Sequence, residues 1–367
     1  MDWFKRQPIA TQTAFAQLQQ TSLQVLSEQS LSNLKGSFSS KAIKGKTYWY
    51  YRFRDNAGRD QQIYIGPDSD QICALIKRKK DESARIQLQA VQRQIRIAVS
   101  AGADITPTYH LRLIKQLSDH GFFYAGGILI GSHAFASYAN MLGISWADYS
   151  IAQTLDVDFA HAGRKLSVAL PSTIKINTSD AITSLEEGFI PQLAGIGRGA
   201  TWTHPTDPDY QIDFLTPQTR KSQEPIEDDR LGIVLQPLKF MEFSMENVQQ
   251  TVLFDRKTAV IVNVPDPARY AVHKLIVYGE RHGINQIKAQ KDLMQAAALI
   301  SIMKVDRPLD LYEAWTDAMG RGPGWRRRLE NGVTALNQAY PDTGLNEFLD
   351  QQNAGPTSSS SSTPAWL

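Results

Sequence analysis

The sequence predicts a fold that combines helices with strands, in the α/β or α+β class. Between residues 111 and 264, short β-branched or aromatic runs alternate with segments that have a helical spacing of apolar residues. After Pro265 and Pro267 the strand-like runs stop, and helical segments follow. Residues 46–66 add a strand–turn–strand pattern near the N-terminus.

The first hundred residues predict a basic module, residues 1–99, of helices and a β-hairpin. Apolar residues between 10 and 34 recur with an imperfect helical spacing, which predicts one or two short helices. Two extended runs within 46–66 flank the turn-forming residues 55–58 and predict the hairpin. A polar stretch that opens with the basic residues 77–80 and continues to about Val99 predicts an exposed helix.

The pattern in residues 100–265 predicts a core that contains both strands and helices. Strand-like runs occur at 126–131, 155–160, 166–170, 200–203, 210–215, 251–254 and 259–264. Helical spacing begins at residue 111 and recurs at 133–141 and 179–187. Strands and helices that alternate in this way indicate a sheet with helices packed against it.

Residues 266–350 predict a helical C-terminal domain. Its helical segments are 268–280, 286–302, 309–319 and 325–339. The tail, residues 351–367, is rich in serine and poor in apolar side chains. Because it cannot bury enough surface to offset the entropy of ordering, we expect it to be disordered.

The net charge of +2 hides an uneven distribution. Residues 35–96 contain fourteen Lys or Arg against six Asp or Glu, a net charge of +8, which leaves −6 on the rest of the chain. Such a segment suits an anionic partner or a hydrated surface. A single cysteine, Cys73, cannot form an intramolecular disulfide, and no run of about 18 apolar residues occurs. We therefore expect a cytoplasmic protein that neither crosses a membrane nor enters the secretory route.

Three aspartates and a Gly-Ser pair form the most informative pattern. Gly131 and Ser132 follow a buried-looking strand and precede a helix, so backbone N–H groups and a hydroxyl could hold phosphate oxygens there. Asp156 and Asp158 would share one face of a strand, and Asp213 on another apolar run could complete the cluster. Carboxylate oxygens suit Mg²⁺, and two such ions could activate a hydroxyl and stabilise a departing pyrophosphate.

The same residues allow structural interpretations and other chemistries. A Gly-Ser pair is a common turn, and aspartates often accept hydrogen bonds at strand ends. His133, His161 and His204 surround the acidic runs and could bind Zn²⁺ in a hydrolase, although no HExxH-like spacing occurs. Ser132 lacks the Gly-x-Ser-x-Gly elbow that exposes a serine nucleophile.

In their order and context these residues resemble the nucleotidyltransferase superfamily, which is marked by a Gly-Ser turn, an Asp-x-Asp strand and a third acidic strand. The resemblance covers about residues 105–300. It is strongest to a bacterial group of nucleotidyltransferase-fold proteins, in residues 131–135, 154–159 and 267–275, and more distant to abortive-infection nucleotidyltransferase toxins. It implies an α+β fold with a mixed sheet flanked by helices, two Mg²⁺ ions with Mn²⁺ as an alternative, and a nucleoside triphosphate donor.

The resemblance also implies roles for individual residues. Asp156 and Asp158 would be catalytic metal ligands, and Asp213 would be a metal ligand or a base. Gly131 and Ser132 would hold the triphosphate. In the toxin-like relatives a helical lysine and a later basic–acidic pair help to hold it, so further candidates here are Lys274, Lys291 and Asp292.

Two features near the motif are open to more than one interpretation. Lys288 and Asp292 could form only an i,i+4 pair, which contributes a few tenths of a kcal/mol. Ser132 and Asp156 are separated by 23 residues, about twice the spacing in compact members of the superfamily. The insertion, at about 140–153 with Trp146 and Tyr149, could line a base pocket or only pack.

These observations predict a Mg²⁺-dependent nucleotidyltransferase that moves a nucleoside monophosphate from a triphosphate to an acceptor. RNA, for example tRNA, could bind the basic segment 35–96, where aromatic and basic side chains alternate. If the protein is toxin-like, an antitoxin is a candidate partner. The alternatives are a non-catalytic nucleic-acid-binding or regulatory protein with this fold, and an enzyme that nucleotidylates a small molecule.

Overall fold

A mixed β-sheet with helices packed against it forms the centre of the fold in this computed structural model. The structure describes residues 2–29, 36–43, 45–54, 60–70, 72–73, 76, 83–148, 150, 152, 154–161, 176–194, 197–219, 224–280 and 286–354. Strands and helices alternate through the middle of the chain, and the elements described after residue 266 are helices. The predicted α+β class is therefore confirmed.

The elements are numbered in chain order. The strands are β1 (Phe4–Arg6), β2 (Gly36–Ile43), β3 (Lys46–Arg54), β4 (Asp60–Pro67), β5 (Gly127–Leu129), β6 (Ile144–Trp146), β7 (Val157–His161), β8 (Ile190–Ala194), β9 (Gly197–Thr203), β10 (Gln211–Pro217), β11 (Ile226–Asp228), β12 (Ile233–Leu238), β13 (Gln249–Phe254) and β14 (Ala259–Val264). The helices are α1 (Ile9–Gln29), α2 (Ser83–Ser100), α3 (Thr108–Asp119), α4 (Gly131–Met141), α5 (Thr178–Thr183), α6 (Met241–Ser244), α7 (Pro267–Glu280), α8 (Gln286–Asp306), α9 (Pro308–Gly320), α10 (Pro323–Ala339) and α11 (Leu345–Asn353).

The central sheet has the strand order β11-β12-β10-β7-β5, and β9 joins it along β10. Strand β10 is parallel to β7 and β12, whereas β5 is antiparallel to β7. Four side chains that β7 and β10 direct into the core are large, apolar and fully buried: Val157, Phe159, Ile212 and Phe214. Successive side chains of a strand point to opposite faces of the sheet, so Asp158 and Asp213 lie on the face away from this core. The two aspartates are direct neighbours in the register.

The N-terminal residues form a separate sheet and also join the core. Strands β2, β3 and β4 make an antiparallel sheet, so the predicted hairpin is confirmed and β2 is an addition to it. Helix α1 is one helix of 21 residues that packs on α2 and on the β13–β14 hairpin, where Leu18, Ile95 and Phe254 share a hydrophobic cluster. Strand β1 pairs with β6. The domain boundaries at residues 99 and 265 stay predictions.

Several predictions differ from the structure, among them the strand at 126–131, which is only Gly127–Leu129 because Gly131 already begins α4. Helix 179–187 ends at Thr183, and Glu186 has a left-handed φ of 57° that a helix cannot continue through. Strand 155–160 begins only at Val157, because the N–H of Asp156 donates to the Thr154 hydroxyl at 3.2 Å instead of joining a ladder. Helix α11, which the sequence did not indicate, extends through 351–353, so those three residues of the expected tail are helical.

Other predictions lie outside the described residues. These are the strand at 166–170, the turn at 55–58, the basic residues 77–80, Tyr149 and the tail from residue 355 onward. None of the helices in the described part of the chain has the length and apolar content that crossing a bilayer requires.

The predicted helices of the C-terminal region correspond to α7, α8, α9 and α10, and glycines bring two of them together. A Cβ atom on Gly332 of α10 would lie 2.3 Å from the Leu275 carbonyl oxygen of α7, and one on Gly279 of α7 would lie 2.2 Å from the Arg328 carbonyl oxygen of α10. Each helix therefore rests on the backbone of the other, which fixes α7 and the Lys274 side chain that it carries.

We expect Gly332→Ala to destabilise the protein by about 1–3 kcal/mol, because the added methyl forces the two backbones apart. Gly320→Ala is the matched control, since a Cβ there meets no atom within 4 Å. It should be neutral or stabilise by up to about 1 kcal/mol through helix propensity. Chemical denaturation measures both variants, and equal effects would contradict the close packing of α7 and α10.

Candidate active site

Three aspartates come together where β7 and β10 lie side by side. Asp158 and Asp213 are register partners on these parallel strands, so their side chains project to the same face of the sheet. Asp156 immediately precedes β7 and lies close enough to both to interact electrostatically. The Thr201 hydroxyl on β9 donates to Asp213 Oδ1 at 2.5 Å. The structure thus brings the sequence-predicted aspartates to one place.

Helix α4 begins directly against the Asp158 carboxylate. Gly131 has a φ of +63°, and a Cβ on it would lie 2.0 Å from Asp158 Oδ2. Only glycine fits this position, both for its backbone conformation and for the contact. The N–H of Ile130 donates to the Asp158 carbonyl at 2.9 Å and holds the helix start against β7.

The carboxylates carry more negative charge than their surroundings balance. Burial raises the pKa of Asp158 to about 6, and repulsion from Asp213 and Asp156 adds to the shift, while Lys274 and Lys288 oppose it. The residue keeps some accessible surface, although its carboxyl is packed among protein atoms. Burial also raises the pKa of Asp156 against the opposing charge of Lys288. A divalent cation would supply the positive charge that these groups lack.

The candidate metal ligands do not form a complete coordination site in this structure. Within the described residues, no group of three or more His, Cys, Asp or Glu side chains is near enough to hold a metal ion. The donors nevertheless suit Mg²⁺, because carboxylate oxygens are its preferred ligands. Asp156 and Asp158 are the carboxylates that could hold such an ion, with Asp213 beside them.

Lysines from two C-terminal helices face the aspartates. Lys274 of α7 forms an ion pair with Asp292 of α8 at 2.6 Å, and both side chains are largely buried. This ion pair joins two helices, so the spacing of residues along a single helix could not predict it. Burial lowers the pKa of Lys291, and the charge of Lys274 lowers it further. Lys288, which is exposed, acts electrostatically on both Asp156 and Asp158.

Two further residues support the Gly-Ser turn, and sequence reasoning did not assign them a role. The Tyr270 hydroxyl donates to the Gly131 carbonyl at 2.9 Å and lies 2.9 Å from Gln295 Oε1. Gln295 in turn donates to the Ser132 hydroxyl at 3.4 Å. Within the segment 267–275, which resembles the family, the sequence indicated a role for Lys274 but none for Tyr270. Its tyrosine ties α7 to the start of α4.

The histidines have structural partners. His133 Nε2 lies 2.9 Å from His110 Nδ1, and His110 Nε2 lies 3.2 Å from the Leu155 carbonyl. His161 Nε2 lies 2.9 Å from the Ala125 carbonyl. His204 Nδ1 lies 3.2 Å from a threonine hydroxyl. These contacts hold loops and strand ends, and the chain from His133 to Leu155 fixes the residue that precedes Asp156.

Fold and site together define an α+β protein of the nucleotidyltransferase class. A family model described as Nucleotidyltransferase matches residues 108–320, which is more than half of the chain, so the protein belongs to that family. Among solved structures, an antigenic nucleotidyltransferase-like protein from Paracoccidioides brasiliensis is similar, with 13% identity and a TM-score of 0.36 over 66% of this chain and 93% of its own. Curated proteins yield no match. Family membership supports nucleotidyl transfer with a nucleotide substrate.

Asp158→Asn should change stability in a pH-dependent way. The pKa of this carboxyl is about 6 in the folded chain and about 4 when unfolded. The folded state therefore holds the proton more tightly, and the wild type loses stability as pH rises from about 4 to about 6. In metal-free buffer at pH 8 we expect Asp158→Asn to be more stable by roughly 1–3 kcal/mol, with the gain vanishing near pH 4.

Denaturation curves at both pH values measure the effect. The control is Asp350→Asn, which changes an exposed aspartate of α11. Its free energy of unfolding relative to the wild type should be the same at both pH values. Millimolar Mg²⁺ should stabilise the wild type but not Asp158→Asn, because a ligand that binds only the folded state raises its stability. A gain of equal size at pH 4 and pH 8 would contradict the raised pKa.

Proposed function

We propose that the protein is a Mg²⁺-dependent nucleotidyltransferase that moves a nucleoside monophosphate from a triphosphate to a hydroxyl acceptor. The observation that carries this proposal is the contact of the α4 start with Asp158, beside Asp213 and Asp156. It juxtaposes a helix N-terminus, which favours phosphate, with carboxylates, which favour divalent metal. Lysines on α7 and α8 add positive charge where these two helices face the aspartates.

In the proposed reaction an acceptor oxygen attacks the α-phosphorus of the triphosphate. The new P–O bond replaces the bond to the β-phosphate bridging oxygen, and pyrophosphate departs. Bound Mg²⁺ would polarise the α-phosphate and neutralise the leaving group. In this proposal Asp213, the register neighbour of Asp158, accepts the proton of the acceptor, and Lys291 and Lys288, which act electrostatically on Asp156, counter the charge of pyrophosphate.

RNA is the acceptor that the N-terminal sheet supports. On one face of the sheet, Tyr48 and Tyr64 lie 6.2 Å apart and Tyr50 and Tyr64 lie 5.5 Å apart between ring centroids. We call this the tyrosine face. Lys41 Nζ lies 4.8 Å from the Tyr50 ring centre, and Arg52 is exposed two residues further along β3. Aromatic rings with cations between them suit the stacking and phosphate binding of a single strand.

The alternatives give different outcomes in the same experiments. A non-catalytic nucleic-acid-binding protein would bind RNA but show no Mg²⁺-dependent turnover of nucleotide. An enzyme that modifies a small molecule would turn over nucleotide without any effect of the tyrosine face. Growth arrest on expression of the wild type, but not of Asp158→Asn, would support a toxin with an antitoxin partner.

Transfer is tested with each α-labelled triphosphate, Mg²⁺ and total cellular RNA, followed by gel separation. We expect a labelled product from the wild type, and a loss of at least about 100-fold in Asp156→Asn and Asp158→Asn, because each removes a carboxylate that would hold the divalent cation. Asp350→Asn is the matched control and should keep full activity. Labelling that persists in both site variants would remove the catalytic assignment.

Binding by the tyrosine face is tested through its salt dependence on a single-stranded oligonucleotide. The double variant Lys41→Gln/Arg52→Gln should lower the slope of log K against log salt by about 1.4, since each phosphate contact contributes about 0.7. Tyr64→Ala should weaken binding by about 1–3 kcal/mol through lost stacking. The matched control, Arg256→Gln/Lys257→Gln, neutralises two exposed cations between β13 and β14. If both double variants gave the same slope, the tyrosine face would be excluded as the binding surface for the oligonucleotide.

A further inference from the structure

A cavity of about 450 Å³ lies along helix α4, beyond the Gly-Ser turn. Its lining is drawn from α4 and from the segments 104–110, 146–155 and 252–254. Gly131 and Ser132, which start the helix against Asp158, are not part of this lining. The volume falls in the range of small-molecule sites. The cavity is therefore a compartment distinct from the candidate active site.

Asp104 brings a carboxylate to the cavity wall, and its backbone is fixed by α4. Its N–H donates to Asn140 Oδ1 at 3.0 Å, and Asn140 Nδ2 donates to its carbonyl at 2.8 Å. Two residues further on, the N–H of Thr106 donates to the Phe254 carbonyl at 2.8 Å and ties the segment to β13. Both backbone groups of Asp104 are thus satisfied within the protein, and the residue has a defined position in the wall.

The charge of the Asp104 carboxylate is not balanced. Burial raises its pKa, and a hydrogen bond from the Ser145 hydroxyl opposes this shift. Among the described residues, no lysine, arginine or histidine contributes to the pKa. Asp104 lines the cavity and keeps part of its surface accessible. A half-buried carboxylate without a counter-charge is costly, so a cation in the cavity would stabilise it.

Aromatic and apolar side chains form much of the remaining lining. Trp146 and Phe254 are buried in the walls, whereas Ile105, Tyr109 and Leu155 are 39%, 45% and 43% exposed and form the mouth. Large apolar side chains that gather at one opening mark a binding site more often than a plain surface. The faces of aromatic rings also attract organic cations. The lining thus suits a ligand with an apolar body and a positive charge.

Negative charge is also present outside the mouth. Burial raises the pKa of the Tyr109 hydroxyl, and the charge of Asp207 raises it further. Asp207 is exposed and is therefore free to act on an approaching ligand. A cation that approaches this side of the protein would be attracted before it enters the cavity, and an anion would be repelled.

From these observations we infer that the cavity binds a small organic amine in its protonated form, with the ammonium group at Asp104 and an aromatic or apolar body against the walls. A carboxylate and an ammonium group form a strong, charge-assisted hydrogen bond. The aromatic side chains add cation–π attraction. A triphosphate would be repelled by the same carboxylate. This site therefore goes beyond the proposed nucleotidyl transfer and does not depend on it.

The first test is calorimetry with two amines and their neutral counterparts, in a buffer that contains no amine. Tryptamine is compared with tryptophol, and phenethylamine with 2-phenylethanol, because each pair differs in an ammonium against a hydroxyl group. We expect each amine to bind about tenfold to a hundredfold more tightly than its alcohol, as one charged hydrogen bond provides. If neither amine binds more tightly than its alcohol at millimolar concentration, the inference is wrong.

A further ligand separates a small amine from a lysine side chain of another protein. Acetyl-lysine amide carries the ammonium group on a flexible aliphatic chain and has no aromatic body. It should bind more weakly than tryptamine, because it leaves the apolar mouth uncovered. Tighter binding of acetyl-lysine amide would contradict a small-molecule occupant.

Variants test the position of the ammonium group. Asp104→Asn removes the charge, and the Ser145 hydroxyl can donate to the new amide oxygen as it does to the carboxylate. This variant should weaken tryptamine binding about tenfold to a hundredfold and leave tryptophol binding unchanged, which a misfolded variant would not do. The matched control, Asp350→Asn, changes an exposed aspartate and should bind both ligands as the wild type does. Equal loss of both ligands in Asp104→Asn would contradict the ammonium contact.

A second pair of variants tests the cavity itself. Ala136→Leu fills the space from a half-buried position of α4 and should abolish the binding of tryptamine. Ala335→Leu, a half-buried alanine of α10, is its matched control and should bind as the wild type does. Tryptamine binding that survives both Ala136→Leu and Asp104→Asn unchanged would place the ligand elsewhere.

The last measurement keeps this inference separate from the proposed function. Asp158→Asn should bind tryptamine with wild-type affinity, because Asp158 is not part of the cavity lining. Tryptamine binding without any nucleotidyl transfer would refute the proposed function alone. Nucleotidyl transfer without a preference for either amine over its alcohol would refute the amine site alone.

Discussion

The parallel pairing of β7 with β10 is the constraint on which the site depends. It sets Asp158 beside Asp213 in the register, and the like charges of the two carboxylates destabilise the folded protein. The opposite face of the same strands offsets this cost. There Phe159 stacks on Phe214 at 5.5 Å, and Phe122 meets both rings edge-on. An apolar core on one face thus permits an unbalanced charge on the other.

The positive charges that act on the aspartates come, among the described side chains, from the helical C-terminal region and not from the sheet. Lys274, Lys288 and Lys291 all come from α7 and α8. The close packing of α7 on α10 and the ion pair between Lys274 and Asp292 hold two of these helices in place. Tyr270 then connects α7 to the Gly131 carbonyl. The charge balance of the site is therefore set by contacts far apart in sequence.

Whether the sequence could predict a feature depends on how far apart along the chain the interacting residues lie. The helices of the C-terminal region and the strands that carry Asp158 and Asp213 have a strong local periodicity, and the structure has them. Strands β1 and β6, of three residues each, are too short for such a signal and exist through their pairing with each other. The support of the Gly-Ser turn by Tyr270 and Gln295 joins distant segments, so no local pattern could reveal it.

Asp156 differs from the other two aspartates because no strand ladder fixes it. Its position depends on the Thr154 hydroxyl and on the Leu155 carbonyl, which the His133–His110 chain holds. Thr154 and Leu155 also line the cavity along α4. The segment that places Asp156 thus also forms part of a cavity wall, and the position of this aspartate depends on contacts with residues far from it in the sequence.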